Sequence, residues 1–454
     1  MTSSAVPSSD DAAPPAAVPF LEALRFWLKL GFISFGGPAG QIAIMHTELV
    51  ERRRWLSEGR FLHALNYCML LPGPEAQQLA TYIGWLMHRT AGGIVAGALF
   101  VLPSLAILIA LSWIYMAYGH LTVVAGIFYG LKPAITAIVL HAAHRIGSRA
   151  IRNRWKLGLA VAAFIAIFWG QVPFPAIVAV AALLGWLGAR WRPQLFSPAG
   201  HGAAQRSAGR ALIDDDTPTP AHARFSRAGL ARVLAVGALL WLVPMGLLVA
   251  DGGWQGTLAQ MAWFFSKAAL LTFGGAYAVL PYVYQGAVDH FHWLSAPQMM
   301  DGLALGETTP GPLIMVVAFV GFVGGWLQQV AGAGAPFLGG ALAAVVVTFF
   351  TFLPSFLFIL AGGPLIEATH GRLGFTAPLA AITAAVVGVI VNLALFFAWH
   401  VLWPDGFGGR FDIAAAVIAV AAGVALFRLK LGVMPVLGLC AVAGLLLRWM
   451  GVGG

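Results

Sequence analysis

Long apolar runs, separated by short polar segments or by clusters of glycine and proline, dominate the chain. In the first part of the sequence these runs lie near residues 22–46, 61–87, 93–118, 121–143, 157–171 and 174–191. In the second part they lie near 230–250, 258–284, 299–328, 335–362, 376–402, 411–428 and 432–450. A membrane-spanning helix needs roughly 20 apolar residues. The pattern therefore predicts an all-α polytopic membrane protein with about 13 hydrophobic segments.

The composition agrees with a membrane location. Hydrophobic residues make up 60% of the chain and charged residues only 9%, whereas soluble proteins carry about a quarter charged residues. This excludes a water-soluble fold. The net charge of +9 comes from basic residues between apolar segments, which indicates topology rather than nucleic-acid binding. Residues 1–19 lack the pattern of a secretory signal and are predicted to form a disordered N-terminal tail in the cytoplasm.

The sequence repeats itself at a constant spacing along the chain. The matching positions are Lys29 with Lys267, Phe35-Gly36-Gly37 with Phe273-Gly274-Gly275, and Pro72-Gly73-Pro74 with Pro310-Gly311-Pro312. Ungapped agreement at such rare residues predicts two homologous repeats, which we place at 20–192 and 251–454.

The region between the repeats predicts how they are oriented. Residues 193–229 are polar and rich in proline, alanine and arginine, and we expect a solvated cytoplasmic linker there. Residues 230–250 form one unpaired apolar segment, predicted to be a connecting transmembrane helix. A single extra crossing inverts the second repeat relative to the first, as in many secondary transporters.

The basic residues support this inversion and add a constraint. The loop at 46–60 carries four arginines, whereas its equivalent at 284–298 carries no lysine or arginine. Such asymmetry fits opposite sides of the membrane. Simple alternation of full spans would put the equally basic loop at 145–156 across the membrane from 46–60. We therefore predict nine full spans and four re-entrant hairpins, formed by the first two segments of each repeat.

Glycine and proline clusters interrupt these four segments. A proline is pre-organised for the first turn of a helix, so Pro38, Pro74 and Pro312 are expected to begin half-helices. The free amides of such helix starts would meet in the middle of the membrane and suit an oxyanion. Glycines that merely permit close helix packing are the other interpretation. The glycines in question are Gly36, Gly37, Gly73, Gly274, Gly275 and Gly311.

Polar side chains near the breaks are candidates for binding the same anion. The hydroxyls are those of Ser34, Thr272, Thr308 and Thr309, which could equally bond to their own helices. Gln41 and Gln77 are expected to face the cavity, and the direction of Gln78 is left open.

Four charged residues lie close to the breaks. Lys29 and Lys267 are proposed as counter-charges for the anion, because a lysine in the bilayer is costly and this one is duplicated. Snorkelling to an interface is their other interpretation. Glu75 and Glu307 are candidates for proton coupling, and Glu75 could instead cap a helix start. Lys132 and His141 are weaker candidates.

No enzymatic constellation emerges from the sequence. The histidines are scattered, and there is no metalloprotease, nucleophile-elbow or phosphate-loop motif. The chain is therefore expected to be no enzyme and to use neither a cofactor nor a metal. Its two cysteines, Cys68 and Cys440, are too few for a disulfide framework or a cysteine metal site.

The break motifs resemble those of the chromate ion transporter family in its long, two-domain form. They are Phe35-Gly36-Gly37-Pro38, Leu71-Pro72-Gly73-Pro74 followed by Gln78-Leu79-Ala80, Thr272-Phe273-Gly274-Gly275, and Glu307-Thr308-Thr309-Pro310-Gly311-Pro312. The resemblance covers residues 20–450. It implies chromate efflux across the inner membrane, driven by the membrane potential or a proton gradient, and chromate resistance. Ala276 stands where the first repeat has Pro38, so the second-repeat hairpin is expected to start less rigidly.

Other functions remain open at this stage. Sulfate, another tetrahedral dianion, is an alternative or additional substrate, in an exchanger or an importer. A membrane-embedded enzyme acting on lipid phosphate could use Arg52 to Arg54, and a channel is a third alternative. The bilayer is the expected surrounding, and a homodimer is one of the oligomeric states that the sequence leaves open.

Overall fold

A computed structural model describes residues 17–35, 37–191, 210–273, 275–369 and 376–451 of the chain. The first-repeat helices are α1 (Phe20–Ile33), α2 (Gly37–His46), α3 (Glu58–Cys68), α4 (Glu75–Tyr118), α5 (Thr122–Ala150), α6 (Arg154–Phe168) and α7 (Phe174–Trp191). The connecting helix is α8 (Arg227–Gly252). The second-repeat helices are α9 (Thr257–Leu271), α10 (Ala276–Tyr284), α11 (Ala296–Thr308), α12 (Val316–Leu327), α13 (Pro336–Thr369), α14 (Thr376–Leu402), α15 (Ile413–Phe427) and α16 (Val433–Trp449).

The predicted all-α membrane class is confirmed. Six of the described helices are long and apolar enough to cross a membrane. Large apolar side chains remain exposed on the outside. Helix α8 is the least buried of the six, with Leu239 and Leu242 each 60% exposed. Such a continuous apolar surface suits contact with lipid. The predicted N-terminal tail lies outside the described residues up to residue 16, as does the linker from 192 to 209.

The two repeats share their unusual backbone conformations. Six-residue π-helical turns, Thr47–Arg52 and Gln285–His290, occupy equivalent positions. Positive φ angles also occur in pairs at equivalent positions: Gly37 (72°) and Gly275 (96°), Gly73 (125°) and Gly311 (98°), Arg54 (51°) and His292 (53°). These conformations are rare, above all for residues other than glycine. Their pairing indicates two copies of one fold.

Each repeat begins with two helical hairpins. In hairpin A, α1 leads to α2, and the chain then returns to the start of α1, where the guanidinium of Arg53 lies 5.1 Å from the Phe26 ring centroid. Hairpin B is formed by α3 and residues 75–87 of α4, with the Tyr67 and Tyr82 ring centroids 5.9 Å apart. The Pro-Gly-Pro motif at 72–74 is its tip.

The second repeat has the same two hairpins. Hairpin A′ consists of α9 and α10, and the Phe264 ring centroid lies 5.6 Å from that of Trp293, where the chain returns. Hairpin B′ consists of α11 and α12, which are so close that a Cβ on Gly302 would lie 2.3 Å from Phe319 Cδ1. Its tip is the Pro-Gly-Pro motif at 310–312.

Helix α4 is 44 residues long but turns back on itself. His88 and Arg89 have non-helical backbone angles, and a Cβ on Gly92 would lie 2.3 Å from Gly84 O. Residues 90–118 therefore run antiparallel to residues 75–87. The sequence places a segment boundary at the same point, between 87 and 93, and this boundary is confirmed.

Helix α13 shows that hairpins B and B′ approach from opposite ends of the molecule. Near its start Gly339 lies beside Gly325, at the end of α12, where a Cβ on Gly325 would be 2.5 Å from Gly339 O. Further along, Ser355 Oγ would lie 2.5 Å from a Cβ on Gly73, at the tip of hairpin B. At its end Glu367 accepts a hydrogen bond from Arg60 of α3 at 2.7 Å. The two tips therefore face each other between the two bases.

The remaining helices of the repeats pack crosswise. Helix α5 packs on α15 and α16 of the other repeat, while α14 packs on α6 and α7. Small residues permit these close approaches: a Cβ on Gly130 would lie 1.8 Å from Cys440 O, and one on Gly388 would lie 1.9 Å from Ala160 O. Helices of each repeat therefore pack directly against helices of the other.

The linker differs from the prediction in its described part. Leu212 N donates to Arg54 O at 2.9 Å, and Ile213 N donates to Trp55 O at 3.0 Å. Ile213 and Ala223 are buried. Residues 210–226 thus touch the base of the first-repeat hairpins at a few buried positions, while Asp215, Asp216 and residues 224–226 stay exposed.

Candidate anion-binding site

The four hairpin tips meet through two reciprocal backbone hydrogen bonds. Gly73 N in hairpin B donates to Thr272 O in hairpin A′ at 2.7 Å, and Gly311 N in hairpin B′ donates to Ser34 O in hairpin A at 2.8 Å. Ser34 and Thr272 are the C-caps of α1 and α9. The orphan carbonyls at these helix ends are therefore satisfied by the opposite repeat.

This corrects one part of the sequence interpretation. The amides of Gly73 and Gly311 were expected to face an anion, but both are bonded to carbonyl groups. Their glycines also lie in tight packing, since a Cβ on Gly311 would be 2.9 Å from Ser104 Cβ. Close packing is therefore the role that the contacts give to the tips of hairpins B and B′.

The tips of hairpins A and A′ are different, because they are open. A Cβ on Gly275 would have no described atom within 4 Å, and one on Gly37 would meet Arg145 Nη2 at 3.9 Å. Helices α2 and α10 begin at these tips, and amides at the start of a helix lack the usual acceptor one turn earlier; in α10, Ala278 N instead donates to Gly275 O at 3.0 Å. Open space next to two helix starts is a suitable place for an anion.

Arg145 is the cation that reaches this open space. It lies on α5 and interacts electrostatically with Glu307, at the end of α11, and with Tyr277, in the first turn of α10. Tyr277 in turn donates a hydrogen bond to Glu307. Arg145 therefore lies beside the start of α2, and its charge acts on the Tyr277–Glu307 pair at the start of α10; the sequence did not predict this placement.

Buried polar groups surround the tips. Gln41 Nε2 donates to Gly311 O at 2.5 Å and lies 3.3 Å from Ser34 O, whereas Gln77 bonds to Thr81 and Gln78 bonds to Pro72 O. Within the described part of the chain, five buried oxygens here have no hydrogen-bond partner, namely Ser34 Oγ, Gln41 Oε1, Gln77 Oε1, Gln78 Oε1 and Ser104 Oγ. Unpartnered buried polar atoms are rare in folded proteins and indicate an unfilled polar site.

The predicted threonine ligands do not have free hydroxyls. Thr272 Oγ1 donates to Ala268 O at 2.7 Å, Thr308 Oγ1 to Leu305 O at 2.9 Å, and Thr309 Oγ1 to Gly306 O at 3.1 Å. Each hydroxyl therefore bonds to its own helix. Ser34 is the hydroxyl of the predicted set that remains available.

Neither predicted lysine reaches the tip cluster. Lys29 is exposed on the outer face of α1, and Lys267 Nζ lies 5.4 Å from the ring centroid of Trp263, which is itself exposed. Both positions fit the snorkelling interpretation, in which the stem covers apolar surface and the ammonium points outward.

The prolines begin helices as predicted, to within one residue. Pro38 is the second residue of α2, Pro74 is the N-cap of α4, and Pro312 precedes a short 3-10 turn that leads into α12. Glu75 is the first residue of α4, where a carboxylate suits the helix dipole. Two predicted ligands, Gly36 and Gly274, lie outside the described residues.

Comparison with known proteins identifies the family. A model described as chromate transporter matches residues 21–186 and 259–445. The chain belongs to the chromate transporter family. Its two matched regions coincide with the two repeats, so each repeat of this family member corresponds to one copy of the family pattern.

Three relatives match most of this family member. The chromate transport protein of Cupriavidus metallidurans is 30% identical over 412 residues, which is 90% of this chain and 88% of the relative. That of Pseudomonas aeruginosa is 33% identical over 84% of this chain and 82% of the relative. The probable chromate transport protein of Synechococcus elongatus is 29% identical over 81% of this chain and 83% of the relative. No solved structure gives a significant match.

Proposed function

We propose that this chromate transporter family member exports chromate across the inner membrane as a secondary transporter and thereby confers chromate resistance. The placement of Arg145 beside the start of α2, with its charge acting at the start of α10, carries this proposal. Two sets of helix-start amides and one guanidinium offer positive partial charges from several directions to a tetrahedral dianion. The names of the relatives support chromate as that dianion.

The direction of transport follows from the charge of the substrate. A dianion that leaves a cell with a negative interior gains about 4.6 kcal/mol per 100 mV, twice the value for one elementary charge. The membrane potential therefore drives efflux, and a proton gradient adds to it if a carboxylate carries protons. Among the carboxylates at the hairpin tips, Glu307 is the first candidate for this role, because its protonation would free Arg145 for the anion. Glu75 remains the second candidate.

We propose nine full spans and four re-entrant hairpins for the topology. The spans are residues 90–118 of α4, then α5 to α8 and α13 to α16. Hairpins A and B would enter from the cytoplasm, because their bases carry the arginines of the 46–60 loop. Hairpins A′ and B′ would enter from the other side. Broken backbone at membrane depth is tolerated where it lines a protein cavity.

Sulfate exchange is the second candidate function. Amides and a guanidinium recognise the charge and shape of a tetrahedral dianion, and sulfate shares both with chromate. None of the described groups at the tips distinguishes the chromium atom of chromate from the sulfur atom of sulfate. In this proposal Lys29 and Lys267 do not bind the transported anion; their charges attract dianions toward the protein.

Chromate flux in everted membrane vesicles tests the proposal. We expect saturable accumulation of chromate, inhibition by excess sulfate, and loss of accumulation when the driving gradient is collapsed. Collapsing the potential and the pH gradient separately shows which of them drives transport. Sulfate accumulation without any chromate flux would favour the second candidate. Linear flux that never saturates would indicate a channel.

A further inference from the structure

A second buried polar cluster lies away from the hairpin tips. Asp301 of α11 is only 3% exposed. Its Oδ2 accepts a hydrogen bond from Tyr115 OH at 2.9 Å and lies 3.4 Å from Lys132 Nζ. Three helices from both repeats, α4, α5 and α11, thus meet at one carboxylate.

The cluster is incompletely bonded. Asp301 Oδ1 is buried and has no hydrogen-bond partner in the described part of the chain. Two more buried oxygens without partners, Thr136 Oγ1 and Ser112 Oγ, lie one turn from Lys132 and Tyr115 on the same helices. An ion pair inside an apolar bundle is expensive, and removal of one partner leaves an unpaired buried charge. Such pairs within membrane segments mark ion or proton pathways.

The pair is not a requirement of the repeat fold. The position equivalent to Asp301 in the first repeat is His63, at the same spacing that relates Lys29 to Lys267. The first repeat therefore builds the same helix without this carboxylate. The buried carboxylate is therefore a feature that the second repeat has and the first lacks.

Few other ionisable groups face Asp301. Lys132 and Tyr115 are the ones with described contacts to it. Helix α12 carries no ionisable residue, and His400 of α14 bonds to Phe396 O. On α16, the backbone oxygen of Cys440 and the Cβ of Arg448 lie against glycines of α5, Gly130 and Gly126 respectively.

We propose that Asp301, paired with Lys132, is the proton-binding site that couples chromate export to the proton gradient, in place of Glu307 and Glu75 at the hairpin tips. The carboxylate takes a proton from the aqueous phase on one side and becomes a neutral acid, which releases Lys132. It returns the proton to the other side later in the cycle. Asp301 lies seven residues before Thr308, about 10 Å along the helix from the tip cluster. Proton and anion therefore occupy separate places on connected helices.

A proton suits this place better than a metal cation. Sodium would need several oxygens and would have to displace the ammonium of Lys132 from the carboxylate. A proton needs only one oxygen lone pair, and Oδ1 offers it. The side chain of Lys132 is 31% exposed, so the pair is not sealed from its surroundings.

The test uses the full chain in proteoliposomes and rests on the proposed chromate transport. Two signals are recorded: exchange of labelled chromate against unlabelled chromate, which needs no coupling, and chromate accumulation driven by an imposed pH gradient. Asp301→Asn should keep exchange within about twofold of the wild type and lose gradient-driven accumulation. Asp301→Glu should retain both signals. Asp405→Asn, the same change at an exposed position, is the control and should also retain both.

Each outcome decides one of the two proposals. If wild-type protein exchanges no chromate, the proposed function fails. If wild-type exchange is normal and Asp301→Asn still accumulates chromate in a pH gradient, the proton site is wrong. Accumulation driven by sodium instead of protons contradicts it as well. Loss of exchange in Asp301→Asn, with the protein inserted, would place Asp301 in anion movement and overturn its assignment to coupling.

Discussion

Arg145 is a charged side chain on α5 that lies next to the open tip of hairpin A. It is distant from Gly37 in sequence, and only the packing of α5 brings the two together. A guanidinium offers five donors in a planar fork, which matches an oxyanion better than an ammonium does. Its neighbour Glu307 competes with the anion for the same charge.

Substitution of Arg145 tests this role. Arg145→Gln removes a charge-assisted interaction worth about 1.5–3 kcal/mol, so the KM for chromate should rise roughly 10- to 100-fold. Arg149→Gln, one turn later and exposed, should leave KM unchanged. The measurement is initial chromate uptake by everted vesicles as a function of concentration. An unchanged KM in Arg145→Gln would remove the residue from the site.

The same assay decides between Arg145 and the lysines. From the sequence, Lys29→Ala and Lys267→Ala are each expected to weaken transport. From the placement of the two ammonium groups outside the tip cluster, we expect KM changes of less than about threefold for either variant, because charges that stay in contact with the surroundings of the protein contribute little. A large effect of either lysine with no effect of Arg145 would restore the interpretation based on the duplicated lysines.

At the residue scale, the sequence predicted where part of the candidate site lies. Ser34 and Gln41 lie at the tips as expected, because glycine and proline mark the breaks next to them. Arg145 was missed because it opens a basic loop segment, and basic loops are typical topology signals. For the threonines, the sequence left open a bond to their own helix, and the structure has that bond, because a hydroxyl one turn after a carbonyl can donate to it.

Helices α5 and α14 are the elements that hold the two repeats together. Each packs against the last helices of the other repeat through glycines with no space for a side chain. Apolar patterning predicts where such helices begin and end. It does not predict which helices pack against each other. An apolar helix face is equally stable against lipid or against another helix, so the pairing depends on how closely two helices can approach.

Insertion of a methyl group at this contact should destabilise the protein. Gly130→Ala would drive a Cβ into Cys440 O, and overpacking of this kind costs about 1–3 kcal/mol. Gly158→Ala on α6 has no neighbour within 4 Å and should be neutral or gain up to about 1 kcal/mol from helix propensity. Thermal unfolding in detergent should show a lower Tm for the first variant alone. Equal Tm values for the two would contradict the close α5 to α16 contact.

At the scale of the whole molecule, the two repeats approach each other from opposite ends. The path of α13 from one hairpin base to the other establishes this within the described residues. The sequence predicts an inverted second repeat on other grounds, since one unpaired helix separates the repeats and only one of two equivalent loops is basic. The hydrogen bonds between the tips of the two repeats could not be predicted from the sequence, because they join backbone atoms and require no particular side-chain pattern.

Labelling from the two sides of the membrane tests the topology. Arg52→Cys and His290→Cys occupy equivalent exposed positions in the two repeats. In a background without Cys68 and Cys440, an impermeant maleimide should react with the first in everted vesicles and with the second in right-side-out vesicles. Reaction of both from the same side would exclude opposite orientations.

The reciprocal bonds between Gly73 and Thr272 and between Gly311 and Ser34 make the repeats mutually dependent for assembly. In the intact protein the carbonyl at the end of each repeat's first helix accepts a backbone hydrogen bond from the other repeat, and separated repeats lose both bonds. A chain severed between its repeats should therefore recover activity only by fragment complementation, with both pieces synthesised in one cell and inserted in opposite orientations. Either fragment alone would be left with an unmatched surface and become a substrate for membrane proteolysis.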